Sequence, residues 1–229
     1  MKTVLRQYFR EIICLTVDHR FSNVNNTRIA NQLGTIPRFL LVGNGDKYPA
    51  DCYFHIDTNP IPEWSGTRQS YNYCLCWFEL IALAKANNWE NFLFVEDDIE
   101  VQNNFDDVFL HTIAECPDDW DMLYFGGNHH SSLTEQVAPH LLRASCCLDM
   151  HAVAVNRSMY NALSAVEYYP HLKGNPYFDV TVAHLFHWCK RIFASWPAVV
   201  YQRPGISFNE LEFLDRTSNW QHPGNLLTH

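Results

Sequence analysis

The chain is short of every feature that would take it out of the ordinary globular class. No apolar run approaches the roughly 20 residues that span a bilayer. The opening stretch MKTVLRQYFREIICL is interrupted by Lys2, Arg6, Arg10 and Glu11, so it lacks the unbroken apolar segment and small-residue cleavage site of a secretory signal. A cytoplasmic protein with no transmembrane segment is the expectation. Charged residues are scarce, 18% against 47% hydrophobic and 14% aromatic, a balance that excludes disorder and allows a sizeable core. Positive charge is scarcer still: 16 Lys and Arg face 25 Asp and Glu, for a formal net charge of −9. Nucleic acid is therefore disfavoured as a partner, because binding its phosphates requires Lys and Arg. No CxxC occurs among the eight cysteines. Cys74 and Cys76 lie in an apolar stretch and Cys146 and Cys147 are adjacent, which reads as reduced, buried thiols rather than a disulfide framework. Repeats, low-complexity tracts and long linkers are absent, so residues 1–229 read as one domain.

What is present alternates between strand-like and helix-like segments. EIICLTV (11–17) is a buried strand, followed by a loop and a helix to about residue 33, where Gly34 stops it in the C′ role. RFLLV (38–42) and CYFHI (52–56) are the next strands. The clearest helix follows NPIPEWSG, with apolar residues at Tyr71, Cys74, Leu75, Phe78, Ile81 and Ala82 in a spacing of three and four and terminators at Asn87 and Asn88. FLFV (92–95) is a short strand of the kind buried on both faces. Asn103 or Asn104 is placed to cap a helix carrying Asp106 and Asp107 in its first turn, with Phe105, Val108, Phe109 and Ile113 inward. DMLYF (121–125) reads as a strand ended by Gly126 and Gly127. LLRASCCL and MHAVAV read as two more strands, 158 to about 166 as a helix, 179–190 as an aromatic helix and 192–200 as a strand. The tail after Pro204 reads as irregular. Such alternation implies an α/β fold with a mostly parallel central sheet flanked by helices.

One stretch concentrates charge where charge is rare. FLFVEDDIEV (92–101) runs four apolar residues into Glu96, Asp97 and Asp98. Like charges side by side repel, and burying them is costly without a partner. In an open α/β sheet, ligands bind beyond the carboxyl ends of the strands, and these three residues stand at such an end. Glu96 and Asp98, two apart, point the same way if the extended conformation continues. Together they can share a hard divalent cation that takes its remaining ligands from phosphate and water. The alternative is a solvated acidic loop.

The order of motifs resembles the lipooligosaccharide and procollagen-type galactosyltransferases of glycosyltransferase family 25, with their viral and bacterial relatives. The matching segments are LTVDHR (15–20), GTRQSYNYCLCWFELIALAK (66–85), FLFVEDDIEVQNNF (92–105), DMLYFGG (121–127), HAVAVNRSMYNAL (151–163), FDVTVAHLF (178–186) and YQRPGISFNE (201–210). They cover roughly residues 11–210. The chain has Ser70-Tyr71 where that family has Ser-His, and Ser207-Phe208-Asn209 where it has Ser-Asp-Ile. The resemblance implies a GT-A fold, with a nucleotide-binding half at about 1–100 and an acceptor half at about 101–229. It also implies a nucleotide-sugar donor, a UDP-sugar by preference, a glycan or other hydroxyl acceptor, and Mn²⁺ or Mg²⁺.

Roles follow from that likeness and from the chemistry. Asp98 ligates the metal, with Glu96 beside it directly or through water, and His222 is the late third ligand. Asp97 touches the donor sugar or ribose. Asp18 and Arg20, with His19, end the first strand where base and ribose belong. Gly66, Arg68 and Ser70 open the donor-side helix, and Arg20 and Arg68 are the cations within reach of phosphate. If the anomeric centre is inverted, the acceptor hydroxyl needs a general base. The resemblance points to Asp179, with Glu210 as the alternative. His129 and His130 are candidates for an acceptor loop. His184 and His187, at i and i+3, are expected to face one way. Two other functions use similar residues: a metal-dependent phosphoesterase, which needs several Asp and His clusters, and a non-catalytic sugar-nucleotide or glycan-binding protein.

Overall fold

The computed structural model describes residues 4–17, 20–42, 55–56, 59–130, 134–166, 177–206 and 213–214. Asp18, His19, Glu210 and His222 lie outside the described residues, as do most of CYFHI and the Ser207-Phe208-Asn209 segment. After a short helix α1 (Val4–Tyr8), β1 (Glu11–Val17) is buried along its whole length. Helix α2 (Asn23–Leu33) starts at Ser22, whose hydroxyl accepts the Asn25 N–H at 3.2 Å, and stops at Gly34 with φ 66°. That left-handed value is the reason a glycine stands there.

Strands β2 (Arg38–Val42) and β3 (His55–Ile56) precede the long helix α3 (Arg68–Ala86). Thr67 caps α3 by accepting the Ser70 N–H at 3.1 Å. Next come β4 (Asn91–Glu96), β5 (Ile99–Val101) and α4 (Phe105–Glu115). The hairpin-forming β6 (Met122–His129), β7 (Glu135–Ala138), β8 (Leu141–Arg143) and β9 (Cys147–Asn156) follow. A 3₁₀ turn (Arg157–Met159) leads into α5 (Tyr160–Ala165). Helix α6 (Phe178–Phe186), β10 (Ile192–Ser195), β11 (Val200–Gln202), β12 (Gly205–Ile206) and β13 (Phe213–Leu214) complete the described chain.

Among the described residues, nine strands form one sheet in the order β3-β2-β1-β4-β9-β6-β10-β8-β7. The first four are parallel, β10 is parallel to β6, and β9 runs antiparallel between β4 and β6. β8 and β7 close the far edge antiparallel. This is an α/β domain with a mixed central sheet. Its two faces follow the period of two in a strand. On one face Phe92 and Phe94 of β4 join Ile13, Leu15, Met122, Tyr124, Val153 and Val155 against α3, α5 and α6. Trp77 of α3 is fully buried there, 4.4 Å from Phe94 and stacked on Phe178 at 5.3 Å between ring centres. On the other face Leu93 and Val95 join Ile12, Cys14, Leu123 and Phe125 against Phe105, Phe109 and Ile29 of α4 and α2. Among the described residues no helix is long and apolar enough to cross a membrane.

Several boundaries differ from the sequence expectation. The buried stripe of α3 is Tyr73, Cys74, Trp77, Leu80, Ile81 and Ala84, while Ala82 is exposed. The spacing is right and its phase is rotated, because aromatic and apolar residues occur on both sides of this helix. β6 runs through Gly126 and Gly127 to His129 instead of ending there. A Cβ on Gly126 would stand 2.0 Å from the Val200 carbonyl oxygen and 2.4 Å from His151 Nε2. The glycine therefore admits a close crossing by β11; it does not mark a turn. The 192–200 run divides into β10 and β11, which belong to different sheets; Pro197 between them has no N–H to carry a ladder onward. In the tail, β12 pairs antiparallel with β13.

Candidate active site

The chain leaves β1 toward β2 on one side and returns at β4 on the other, all three strands being parallel. Their carboxyl ends therefore form a topological switch point, where an α/β sheet opens a crevice. Glu96 ends β4 opposite Leu15 of β1, and Asp97 and Asp98 turn the chain into β5.

Strand parity places Glu96, and the turn after β4 places Asp97 and Asp98. Glu96 continues the Phe92–Phe94 face toward α3, and its Oε1 accepts the Tyr73 hydroxyl at 3.1 Å. Asp97 turns to the other side and is 2% exposed. Its Oδ2 accepts the Thr16 hydroxyl at 2.6 Å, and its Oδ1 pairs with Arg20 Nε at 3.2 Å. Asp98 Oδ2 accepts from Arg20 Nη1 at 2.8 Å. The Gln202 side-chain amide donates to both Glu96 Oε2 and Asp98 Oδ2 at 3.3 Å. Glu96 and Asp98 thus converge on the Gln202 amide, but through the turn after β4 and not through the continued extended chain that their spacing assumed. Asp98 Oδ1 is buried and has no hydrogen-bond partner among the described residues. The backbone of this turn is clamped from outside: Arg28 donates to the carbonyl oxygens of Asp97 at 2.5 Å and Ile99 at 2.8 Å, and the Arg203 N–H to that of Asp98 at 2.8 Å.

The guanidinium of Arg20 pairs with Asp97 and Asp98, and Glu96 feels it only at longer range. Burial pushes Glu96 well above the usual carboxylate range, and the charge of Asp98 pushes it further. Burial likewise raises Asp97 to about 6, against the pull of Arg20 and Thr16. Burial opposes the charge on Arg20, but Asp97 and Asp98 outweigh it, and its pKa rises. The cluster is therefore held together by Arg20 and still carries more negative charge than it neutralises. The oxygen-only donor set of Glu96 and Asp98, with one buried oxygen left unsatisfied, fits a hard divalent cation.

Asp179 sits in the first turn of α6, and its Oδ2 accepts the Asp149 N–H at 2.9 Å. Asp149 has φ 60°, a conformation that few non-glycine residues adopt outside special sites. Burial raises the Tyr73 phenol, and the charges of Glu96 and Asp179 add to that rise. Asp149 in turn raises Glu96. Asp179, Asp149, Tyr73 and Glu96 therefore share one electrostatic neighbourhood. Asp149 carried a signal in sequence, an acid breaking the apolar run CLDMHAVAV. Thr16, Arg28, Tyr73 and Gln202 carried none, since their roles depend on which strand ends meet.

Other expected residues are placed as follows. Arg68 and Ser70 lie in the first turn of α3, with Gly66 just before the Thr67 cap, and Tyr73 one turn further along reaches Glu96 at the end of β4. Ser70 is buried, donates its hydroxyl to the Thr67 carbonyl at 2.9 Å and receives Trp64 Nε1 at 3.2 Å. Its hydroxyl thus serves the start of the helix. His184 is exposed whereas His187 is buried, so the two do not face one way: His187 ends α6, where its turn carries it under the sheet. His187 Nδ1 accepts the Cys147 N–H at 3.1 Å and Nε2 lies 3.3 Å from the Tyr124 hydroxyl. Burial holds its pKa down at about 4. His129 ends β6 and is lowered to about 4 by burial and by His130.

No family model matches the chain, and no curated protein sequence matches it. Solved structures do resemble it. One is a glycosyltransferase involved in the glycosylation of the major capsid of PBCV-1, at 13% identity and TM-score 0.48, covering 87% of this chain and 96% of that one. A197 from STIV gives 8% and 0.46, over 89% and 93%. Mannose-1-phosphate geranyltransferase from Thermus thermophilus gives 9% and 0.43, over 81% and 73%. Scores below 0.5 at such identities do not by themselves carry a function.

Proposed function

We propose that the chain is a metal-dependent glycosyltransferase of GT-A type, moving a hexose from a UDP-sugar to a hydroxyl of a glycan or similar acceptor. One observation carries this reading: at the β1/β4 switch point, Glu96 and Asp98 converge while Asp98 Oδ1 is buried without a partner among the described residues. A diphosphate has no reason to approach uncompensated carboxylates unless a cation joins the two. Glu96 and Asp98 are the residues that would hold Mn²⁺ or Mg²⁺. When bound, such an ion supplies Lewis-acid stabilisation of the diphosphate leaving group.

The remaining work falls to the chain's own groups. Arg20 and Thr16 fix Asp97, and Arg20 and Gln202 orient Asp98, so the carboxylates are placed before any ligand arrives. Asp179, whose Oδ2 accepts the Asp149 N–H, takes the proton of the acceptor hydroxyl in an inverting displacement. A phosphoesterase finds less support. Among the described residues, the only group of three His, Cys, Asp or Glu with ligand atoms close enough to share an ion is His111, Glu115 and His140, away from the β4 end.

The test is the melting temperature with UDP, with and without Mn²⁺. A ligand at 100 times its Kd stabilises a fold by about 2.7 kcal/mol. UDP is expected to raise the melting temperature only with Mn²⁺ or Mg²⁺ present. An equal rise in EDTA would overturn the cation-bridged reading.

A further inference from the structure

A second cluster lies away from the crevice, where α4 meets the β7–β8 turn. We propose that His111, Glu115 and His140 bind one divalent transition-metal ion of the Zn²⁺ class, which ties α4 to the far edge of the sheet. His111 and Glu115 are four residues apart on α4 and so lie on one side of it. His140 comes from the turn between β7 and β8. The candidate ligand atoms of all three lie within 4.8 Å of one another.

The position of His140 is built rather than accidental. Its backbone N–H donates to Glu115 Oε2 at 2.6 Å, and its carbonyl oxygen accepts from the Thr112 hydroxyl at 3.1 Å and the Trp196 N–H at 3.0 Å. Its imidazole Nδ1 stands 2.8 Å from Glu115 Oε1, and its ring lies over His111 with centres 4.4 Å apart. Three backbone anchors hold one imidazole beside a carboxylate and against a second imidazole. Two imidazoles and one carboxylate are the donor set of three-ligand zinc sites, which leave a fourth position for water. It is softer than the all-oxygen set of Glu96 and Asp98, and the two places select different ions.

Ligands about 2.0–2.1 Å from a tetrahedral ion stand roughly 3.3 Å apart, so the cluster must tighten to close. Rings inclined by only 15° do not both contain one ion in their planes. His111 is the ring that turns: it is exposed and has no hydrogen bond among the described residues, whereas His140 is anchored. Closure therefore exchanges the stacking contact and the His140 Nδ1–Glu115 Oε1 hydrogen bond, whose proton is released to solvent, for coordination, while the backbone anchors of His140 stay in place.

Isothermal titration of the EDTA-stripped full chain with ZnCl₂ tests this. The parent is expected to bind one equivalent tightly, with a rise in melting temperature. His111→Gln is expected to weaken that binding at least tenfold while the metal-free melting temperature holds, because His111 is exposed and Glu115 keeps His140. Asp98→Asn, in the crevice, is expected to bind this Zn²⁺ as the parent does, which separates the site from the proposed catalytic one. Histidine resonances of His111 and His140 should shift together at one equivalent. Absence of a saturable equivalent, parent-like affinity in His111→Gln, or loss of the Zn²⁺ in Asp98→Asn would each overturn the proposal and leave a hydrogen-bonded clip only.

Discussion

Glu96 and Glu115 each end an element, one a buried strand and the other a surface helix, and the protein treats their charge in opposite ways. Glu96 receives neutral donors, the Tyr73 hydroxyl and the Gln202 amide, and stands beside Asp98. Burial and that neighbour raise its pKa. Glu115 loses some hydration too, but the His140 imidazole and backbone N–H outweigh the loss and lower its pKa. The difference lies in the partner's charge, not in the side chain. A carboxylate kept short of cationic partners is a place for a cation to arrive; one already served by histidine needs a softer ion to displace what it has.

The largest effect should come from making the crevice more like the helix end. Asp98→Asn removes the like charge beside Glu96 and an expected metal ligand together. Mn²⁺-dependent UDP binding and transfer should be lost. Metal-free stability should stay within about 1 kcal/mol, since relief of repulsion offsets the lost Arg20 pair. Parent-like donor binding in this variant, measured by titration calorimetry, would reduce the cluster to an internally paired turn with no part in donor binding.

Asp179→Asn retains an oxygen for the Asp149 N–H but cannot take a proton. Turnover should fall about 100-fold or more, the usual scale of general-base catalysis, with UDP binding unchanged. Undiminished turnover would transfer the base role elsewhere.

Arg20→Gln sharpens the comparison from the other side by withdrawing the guanidinium that pairs with Asp97 and Asp98. Breaking a buried pair costs about 3–5 kcal/mol, and Arg20 retains 26% side-chain exposure. A loss of about 2–3 kcal/mol in urea unfolding is therefore expected, partly recovered by Mn²⁺. A loss below about 0.5 kcal/mol, the scale of an ordinary surface change, would mean that Arg20 does not hold the cluster together.

The smallest effects are pH slopes in EDTA. Folded Glu96 binds its proton more tightly than the unfolded chain does, so its share of stability is present at low pH and lost as pH rises through its folded pKa. Glu115 is the reverse: its share is present above the unfolded value and lost as pH falls through the folded one. Glu96→Gln should thus make stability fall less with rising pH than in the parent, and Glu115→Gln should make it fall less with falling pH. Urea midpoints from about pH 3 to about pH 9 measure both, a window that brackets the two directions of shift. Slopes of the same sign would erase the contrast.

Much of this was legible beforehand. The bounds of β1 and β2, the Gly34 stop and the first-turn acids of α4 follow from local pattern, because period, caps and φ are local properties. The acidic triad was legible as a concentration of charge at the end of an apolar strand, with a cation site and a solvated loop both open to it. Its neutralisation was not. Arg20 reaches it from the loop after β1, and Gln202 from a strand that crosses β6 only because Gly126 has no side chain. The same holds for His140, which meets Glu115 through the order β10-β8-β7 at the far edge.

The sequence by itself determined that charge would be concentrated at the end of FLFV, because an apolar run is buried and Glu96, Asp97 and Asp98 follow it directly; that Glu96 and Asp98 meet is the work of the turn after β4. Only the tertiary structure decided which groups meet that charge. Thr16, Tyr73, Asp149 and Gln202 come from β1, α3, β9 and β11, and their distances to it depend on strand order and crossing. Those are set by how all the strands and helices pack at once, and no local stretch of sequence encodes them.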